Sequence, residues 1–403
     1  MGNVNGIARQ RLPDAAWRHR PGLDRLAAAL DAAGGHARYV GGAVRDTLLG
    51  LDVADIDIAT DLRPDEVVRR LEAAGIRAIP TGIAHGTVTA VSDGTVVEVT
   101  TLRHDVATDG RHAVVAFADD WREDAARRDF TINALYADPM DGTLFDWFGG
   151  LDDLAARRVR FIGDPYRRIA EDHLRILRFF RFHARFGTTL DQPALEACTA
   201  RANDLMALSR ERIASELLKL LVAPGAVAAV AVMEERGILR SVLPEITAQG
   251  VARLDTLARR EAAVGIAADP VRRLAALVPA AAAEGVGARL KLSNADRKRL
   301  IQANGEVGDD GPRPLAYRAG TQTAVDRLLL AGGEVAAVRD WQPPVLPIGG
   351  GALVARGLAK GPDVARTLRK IENRWIAEDF PDAARVAQIA DEEVDQALRS
   401  SRY

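Results

Sequence analysis

Two short stretches carry the residue types most able to do chemistry: Gly41-Gly42-Ala43-Val44-Arg45-Asp46, and soon after it Asp55-Ile56-Asp57. Transfer of a phosphoryl or nucleotidyl group needs divalent metal to bridge attacking oxygen, phosphorus and leaving group, and hard Mg²⁺ takes oxygen ligands. Carboxylates two apart on a strand point to one face, so Asp55 and Asp57 are the candidate catalytic and metal-ligating pair, with Ile56 and Ile58 on the other face. Glu98, on a further strand, is the candidate third catalytic carboxylate. Gly42 lets a phosphate approach the backbone, and Arg45, early in the following helix, neutralises it. A bare Asp-x-Asp or a turn glycine pair beside a surface arginine also arises without function; here the two lie together.

The elements that must position these residues follow from the pattern. His36 to Val40 reads as a strand, the glycines as its turn, and Val44 to Leu49 as a helix ended by Gly50. Asp55 to Ala59 reads as a half-buried strand, and Pro64 to Ala74 as a helix. Thr87 to Ser92 and Thr95 to Thr101 are strands joined by Asp93-Gly94, a type I′ hairpin signal. From Tyr166 onward the pattern is helical, with Arg168 to Phe186 as one long segment and Ser209 to Val222 as another. Val251 to Ala263, Asp269 to Val278, Asn294 to Asn304 and Gly361 to Ile376 continue it, and Gln342 to Gly351 reads as a loop at a subdomain boundary. The expected fold class is α+β: a small mixed-sheet head, then an all-α remainder.

Composition sets bounds. The chain has 403 residues, 48% hydrophobic and 27% charged, which predicts at least two domains. One cysteine excludes internal disulfides and cysteine-rich zinc sites, and all 7 histidines lie at or before His183. The apolar run from Leu220 to Met233 is broken by Pro224-Gly225 and falls short of the ~20 residues needed to cross a bilayer. The Arg-rich start lacks an apolar signal region, so a cytoplasmic protein, without a membrane or an obligate protein partner, is expected. Net charge is only -2, yet nine arginines stand between Arg157 and Arg185 against Asp164, Glu171 and Asp172. Such a segment can attract a phosphate backbone or be a solvated helix face.

Three more stretches follow in order: Arg127-Arg128-Asp129-Phe130-Thr131-Ile132-Asn133-Ala134, Glu171-Asp172-His173-Leu174-Arg175-Ile176-Leu177-Arg178, and Glu211-Arg212-Ile213-Ala214-Ser215-Glu216-Leu217. With the first two, they make the chain from about residue 36 to 221 resemble the class II tRNA nucleotidyltransferases, the CCA-adding enzymes and bacterial poly(A) polymerases of the polymerase β superfamily. The resemblance implies an N-terminal extension (1–22), a nucleotidyltransferase head (23–160), a helical neck that selects the nucleotide (161–223), and a body and tail (224–403) that hold tRNA. It also implies nucleotide contacts at Gly42, Arg45, Arg128, Asp172, Arg175, Arg178 and Arg181, with metal at Asp55 and Asp57.

Asp172 and Arg175, as i and i+3 on a helix, would present an acceptor beside a donor, which matches the edges of A and C and rejects G and U. Alone, the two read first as an ordinary helical ion pair. Leu174, Leu177 and Phe180 are expected to pack inward. Arg103 to Trp121, with Asp109-Gly110, resembles the family's mobile loop. His104-Asp105 lacks the second histidine pair of a metal hydrolase. Ile79 to Thr87, including His85, resembles the CCA-adding version rather than the poly(A) polymerase one. The implied function is template-independent addition of CCA to tRNA from CTP and ATP with Mg²⁺ as cofactor. The alternatives are poly(A) addition, CC-only addition and a non-catalytic RNA-binding module.

Overall fold

In a computed structural model, residues 10–83, 86–108 and 113–400 are described. The chain divides into two compact units, Met1–Val242 and Leu243–Tyr403. The subdomain boundary expected at Gln342 to Gly351 lies inside the second unit. That stretch is irregular up to Gly349, but Leu346 and Ile348 pack on the core built by Leu353, Ile371, Trp375, Ile389 and Val394.

Strands of the first unit are β1 (Ala37–Val40), β2 (Ile56–Thr60), β3 (Arg77–Gly82), β4 (Thr87–Ser92), β5 (Thr95–Thr101), β6 (Arg103–Thr108), β7 (Ala113–Phe117), β8 (Tyr136–Ala137) and β9 (Leu144–Phe145). Seven form one sheet in the order β3-β4-β5-β2-β1-β8-β9, while β6 and β7 pair only with each other. The central pair β2 and β5 is parallel, with Ile56, Asp57 and Ile58 opposite Val97, Glu98 and Val99. Ile56 and Ile58 are buried, as the period-2 pattern requires, so Asp57 and Glu98 share the other face of neighbouring strands. Asp93 and Gly94 both have positive φ, the backbone of a type I′ turn. Strand β3 is hidden from pattern reading because Pro80 interrupts it. It lies at the sheet edge, where a missing N–H is tolerated.

Helices of this unit are α1 (Leu23–Ala29), α2 (Gly42–Leu48), α3 (Pro64–Ala73), α4 (Trp121–Ala126), α5 (Gly150–Ala155), α6 (Pro165–Glu171), α7 (Arg175–Phe186), α8 (Gln192–Ala200), α9 (Arg210–Leu221) and α10 (Ala226–Glu235). The expected single helix from Arg168 to Phe186 is therefore two. Asp172 is extended (φ -151°, ψ 106°), its carboxylate accepts the Leu174 N–H at 3.1 Å, and its carbonyl accepts the Arg175 N–H at 3.0 Å. An aspartate offers a new helix start a better acceptor than a helix interior can use, so the chain breaks and restarts there. Leu174, Leu177 and Phe180 are buried as expected, and Phe179 joins Phe130 and Phe161 in an aromatic cluster that fixes α7 to the head.

The stretch from Arg103 to Trp121, which resembles the family's mobile loop, carries the β6–β7 ladder in its described residues, closed at its base by the Ala118 N–H to Leu102 carbonyl bond. Asp109-Gly110 and His85 lie outside the described residues, as do the side chains of His104 and Asp105.

The second unit is all helical: α11 (Ala248–Ala263), α12 (Pro270–Leu277), α13 (Ala283–Arg289), α14 (Asn294–Ala303), α15 (Pro312–Ala319), α16 (Thr321–Ala331), α17 (Gly350–Ala355), α18 (Pro362–Ala377) and α19 (Ala383–Ser400). Its first helices surround a buried ion network. Arg272 donates to Glu261 at 2.8 Å and to Asp326 at 3.2 Å, Arg273 reaches Glu261, and Arg299 reaches Asp326. The two-part architecture, a mixed-sheet head followed by helices, is that of the expected fold class. Among the described residues no helix is long and apolar enough to cross a membrane.

Candidate active site

The turn between β1 and α2 brings the phosphate-binding candidates together. Gly41 has φ 69° and ψ -118°, a backbone that only glycine adopts without strain. The space beside it is kept by Arg128, whose Nη1 would lie 3.6 Å from a Cβ placed there. Arg128 is aimed by two neighbours: its Nε donates to the Tyr136 hydroxyl at 3.0 Å and its Nη2 to Asp124 at 3.1 Å. Asp124, almost fully buried on α4, also holds Arg127. The two guanidiniums and the Tyr136 hydroxyl outweigh its burial and lower its carboxyl to about 2.

Arg45, one turn into α2, is buried and donates to Asp46 and Asn133. Burial lowers its pKa, with Asp46 acting against that shift. Asn133 in turn donates to Asp129 at 2.9 Å, and Asp129 accepts from Arg178 of α7 at 2.8 Å. Asp46 accepts from Arg185 at 3.1 Å. Two cross-links thus run from the glycine turn's helix to α7.

These groups line a cleft of about 480 Å³ bounded by Gly41, Gly42, Arg45, Asp57, Arg103, Arg127, Arg128, Asp129, Asn133, Asp172, Arg175, Arg178 and Phe182. Six arginines face three aspartates there, a lining suited to a polyanion. Asp172 and Arg175 both reach this cleft, each through its own set of partners. Asp172 is held by Arg212 of α9 at 2.9 Å, and Arg175 by Glu171 at 2.6 Å and by the Arg168 carbonyl at 2.9 Å. The simple helical pair is therefore replaced by two independently braced groups, an acceptor and a donor.

Of the nucleotide-binding candidates, Arg181 is the one that does not line this cleft. Its Nε donates to Glu216 at 2.6 Å, and it lines a different cavity, of about 660 Å³, with Asp52, Arg185 and Lys219. Arg127, Asp129 and Asn133 belong to the cleft and were not among the expected site residues, although the Arg127 to Ala134 stretch holds all three.

The carboxylates border a second cleft, of about 750 Å³, lined by Arg20, Ala54, Asp55, Ile56, Asp57, Gly94, Thr95, Val96 and Glu98. Asp57 is the residue common to both. Asp55 precedes β2 on an irregular exposed segment rather than lying within the strand. Burial first, then Glu98, push the Asp57 carboxyl up to about 6, with Asp55 adding to this and Arg128 opposing it. Like charges held this close favour a bound cation.

Among the described residues no three His, Cys, Asp or Glu side chains converge on one metal point. Magnesium keeps waters and is commonly held by one or two carboxylates plus substrate phosphates. The all-oxygen pair Asp55 and Asp57 fits such an ion; the residues lining the cleft offer it oxygen rather than the nitrogen or sulfur that zinc prefers.

Comparison with known proteins bears on the whole assembly. Residues 37–160 match the poly A polymerase head domain family, and residues 187–249 match the probable RNA and SrmB-binding site of polymerase A. The chain is 37% identical over 362 residues to the mitochondrial CCA tRNA nucleotidyltransferase 1 of Danio rerio, covering 84% of this chain and 83% of that one. It is 36% identical over 369 residues to the Homo sapiens counterpart, covering 84% and 82%. The crystal structure of the Bacillus stearothermophilus CCA-adding enzyme in complex with CTP superimposes with a TM-score of 0.69 at 25% identity, over 95% of this chain and 100% of that one.

The expectation of a cytoplasmic protein is overturned, since the relatives that match over most of the chain are mitochondrial enzymes. Order of motifs, fold and similarity over most of the chain agree, and the chain belongs to the family of CCA-adding enzymes and bacterial poly(A) polymerases within the polymerase β superfamily.

Proposed function

We propose that this nucleotidyltransferase adds C, C and A to the 3′ end of tRNA, taking CTP and ATP in turn and releasing pyrophosphate. The observation that carries the reading is the position of Asp57, where a cleft rich in arginine meets a cleft rich in carboxylate. The triphosphate enters the first cleft, the RNA end the second, and the bond forms where they join.

Family members work through metal-assisted catalysis, with Mg²⁺ the usual ion. In this chain Asp55 and Asp57 would hold it, with Glu98 as the neighbouring third carboxylate. When bound, it would polarise the α-phosphate and offset charge on the attacking and leaving oxygens. Gly42 leaves room for the phosphates against the backbone. Arg45 and Arg128, both fixed by carboxylate or amide partners, hold the β and γ groups without having to reorganise. The tRNA 3′-hydroxyl attacks the α-phosphorus in line and pyrophosphate departs towards the arginines.

Asp172 accepts the exocyclic amine shared by adenine and cytosine, and Arg175 donates to the adjacent ring nitrogen. Guanine and uracil present the opposite pattern and leave both groups unpaired, which costs on the order of 1–3 kcal/mol per group. Arg178 lines the nucleotide cleft directly. Arg181 acts one step back, through Glu216, which also stands 3.9 Å from Arg178. Residues 1–22 are the extension, 23–160 the head, 161–223 the neck, and 224–403 the body and tail that hold tRNA.

The test is extension of tRNA lacking its terminal CCA with CTP, ATP or both, reading product length. Addition of three nucleotides only when both are present is the expected result. Long A tails, a stop after two C additions, or binding without extension would point respectively to a poly(A) polymerase, a CC-adding enzyme, or an inert RNA-binding module.

A further inference from the structure

The carboxylate that most needs support is Asp55. Asp57 is fixed within β2 by its ladder with β5, whereas Asp55 sits on the irregular exposed stretch that follows Gly50. Support comes from outside the segment that matches the head-domain family. Arg20 donates from Nη2 to the Val53 carbonyl at 2.8 Å and from Nη1 to the Ala54 carbonyl at 3.2 Å, the two peptide groups just before Asp55.

Arg20 is itself held on both sides. Three residues earlier, Trp17 is buried and its Nε1–H donates to the Thr47 hydroxyl of α2 at 2.8 Å. One residue later, the Pro21 carbonyl accepts from the Thr95 hydroxyl of β5 at 2.7 Å. Gly22 follows with φ 77°, so close to Ser92 that a Cβ there would lie 2.4 Å from its Oγ. The segment from Trp17 to Gly22 therefore ties α2, which carries Arg45, to β5, which carries Glu98, and clamps the approach to Asp55 between them.

The direction of the two hydrogen bonds matters. Arg20 lines the same cleft as Asp55, Asp57 and Glu98, yet among the described residues its guanidinium bonds to carbonyls and not to those carboxylates. A guanidinium bonded to a carboxylate would compete with a cation for it. One bonded to the preceding carbonyls fixes where the carboxylate starts and leaves its oxygens open to a cation.

We propose that Arg20 is a positioning residue for Asp55, setting the geometry in which that carboxylate takes a divalent cation. The inference rests on the reading of Asp55 as a metal ligand. Mn²⁺, used alone as a probe, is titrated into the full chain and followed by the electron paramagnetic resonance of the free ion. Loss of a group that orients a metal ligand typically weakens affinity about 10- to 100-fold. Arg20→Ala is expected to do so, to lower kcat with the KM for CTP unchanged, and to recover partly when guanidinium is added at millimolar concentration.

Asp55→Ala is the control. If it leaves Mn²⁺ affinity intact, the metal reading itself is wrong. If it abolishes binding while Arg20→Ala binds Mn²⁺ like the native chain, Arg20 only staples the N-terminal segment and the proposal fails. Should Arg20→Ala not fold, Arg20→Gln, which keeps one donor and most of the side-chain volume, takes its place in the same titration. Weakened Mn²⁺ binding then supports the proposal, and native affinity overturns it.

Discussion

Asp57 and Glu98 are register partners on the parallel strands β2 and β5, so two carboxylates lie side by side on one sheet face with a third, Asp55, lining the same cleft. Without a cation this arrangement works against the fold. The Asp57 carboxyl, raised to about 6, binds its proton more tightly in the folded than in the unfolded chain. The resulting penalty is absent below the unfolded value of 3.8, grows as pH rises towards about 6, and is fully present above it.

Asp57→Asn should therefore raise the melting temperature in EDTA at about pH 7.5, by an amount corresponding to roughly 1–3 kcal/mol. The same substitution should reduce nucleotide addition at least ~1,000-fold while tRNA binding persists. Added Mg²⁺ should stabilise the native chain but not the variant. A variant less stable than the native chain in EDTA would show that Asp57 is a structural acceptor instead.

The braces behind the groups proposed to read the base should matter nearly as much as the groups themselves. Arg212→Ala frees Asp172, and Glu171→Gln weakens the hold on Arg175. Each is expected to narrow the preference for CTP and ATP over UTP and GTP by about 10-fold or more, which corresponds to about 1.4 kcal/mol of discrimination. Measured kcat/KM for the four triphosphates decides this. An equal loss for all four, with no change in preference, would rule out a role in selection.

Asp124 predicts a distinct acid response. Its carboxyl, lowered to about 2 from 3.8, contributes stability that is fully present above pH 3.8 and is lost as pH falls through about 2. Asp124→Ala should remove this acid-sensitive part of the curve. It should also cost about 3–5 kcal/mol at neutral pH, because Arg127 and Arg128 lose a buried partner. Urea unfolding of the native and variant chains from about pH 2 to about pH 7 provides the measurement.

In the helical unit, Asp326 is fully buried and serves Arg272 and Arg299 together. Asp326→Ala should destabilise that unit by about 3–5 kcal/mol. CTP binding by the first unit should stay near native. Calorimetry resolving two transitions, with only the affected one shifted, is the expected outcome; loss of CTP affinity in parallel would contradict it.

What could be read from the chain depended on how local the determining physics was. Asp57 and Glu98 were legible because period-2 alternation is a local property and Asp93-Gly94 names its own turn. The break at Asp172 was not, because Ile169, Ile176 and Phe180, seven and then four residues apart, keep apolar residues at helical spacing across it. Only the capping preference of one aspartate competes with that pattern, and here it prevails. Arg20 carried no signal at all, since its acceptors are backbone carbonyls, which every residue possesses. Arg181 sat close to a recognised stretch, yet its side chain turns towards Glu216 on a helix more than thirty residues away in sequence. Buried pairs such as Arg272 with Glu261 look in the sequence like any exposed helical charge.

The bonds that run from Arg45 through Asn133 and Asp129 to Arg178, and from Asp46 to Arg185, make α2 and α7 a cross-braced frame. Such a frame would couple the groups proposed to read the base to those proposed to grip the phosphates. The extended turn at Asp172 stands between α6 and α7 and inside neither, so the carboxylate proposed to select the base is set by its own partners and not by a helix.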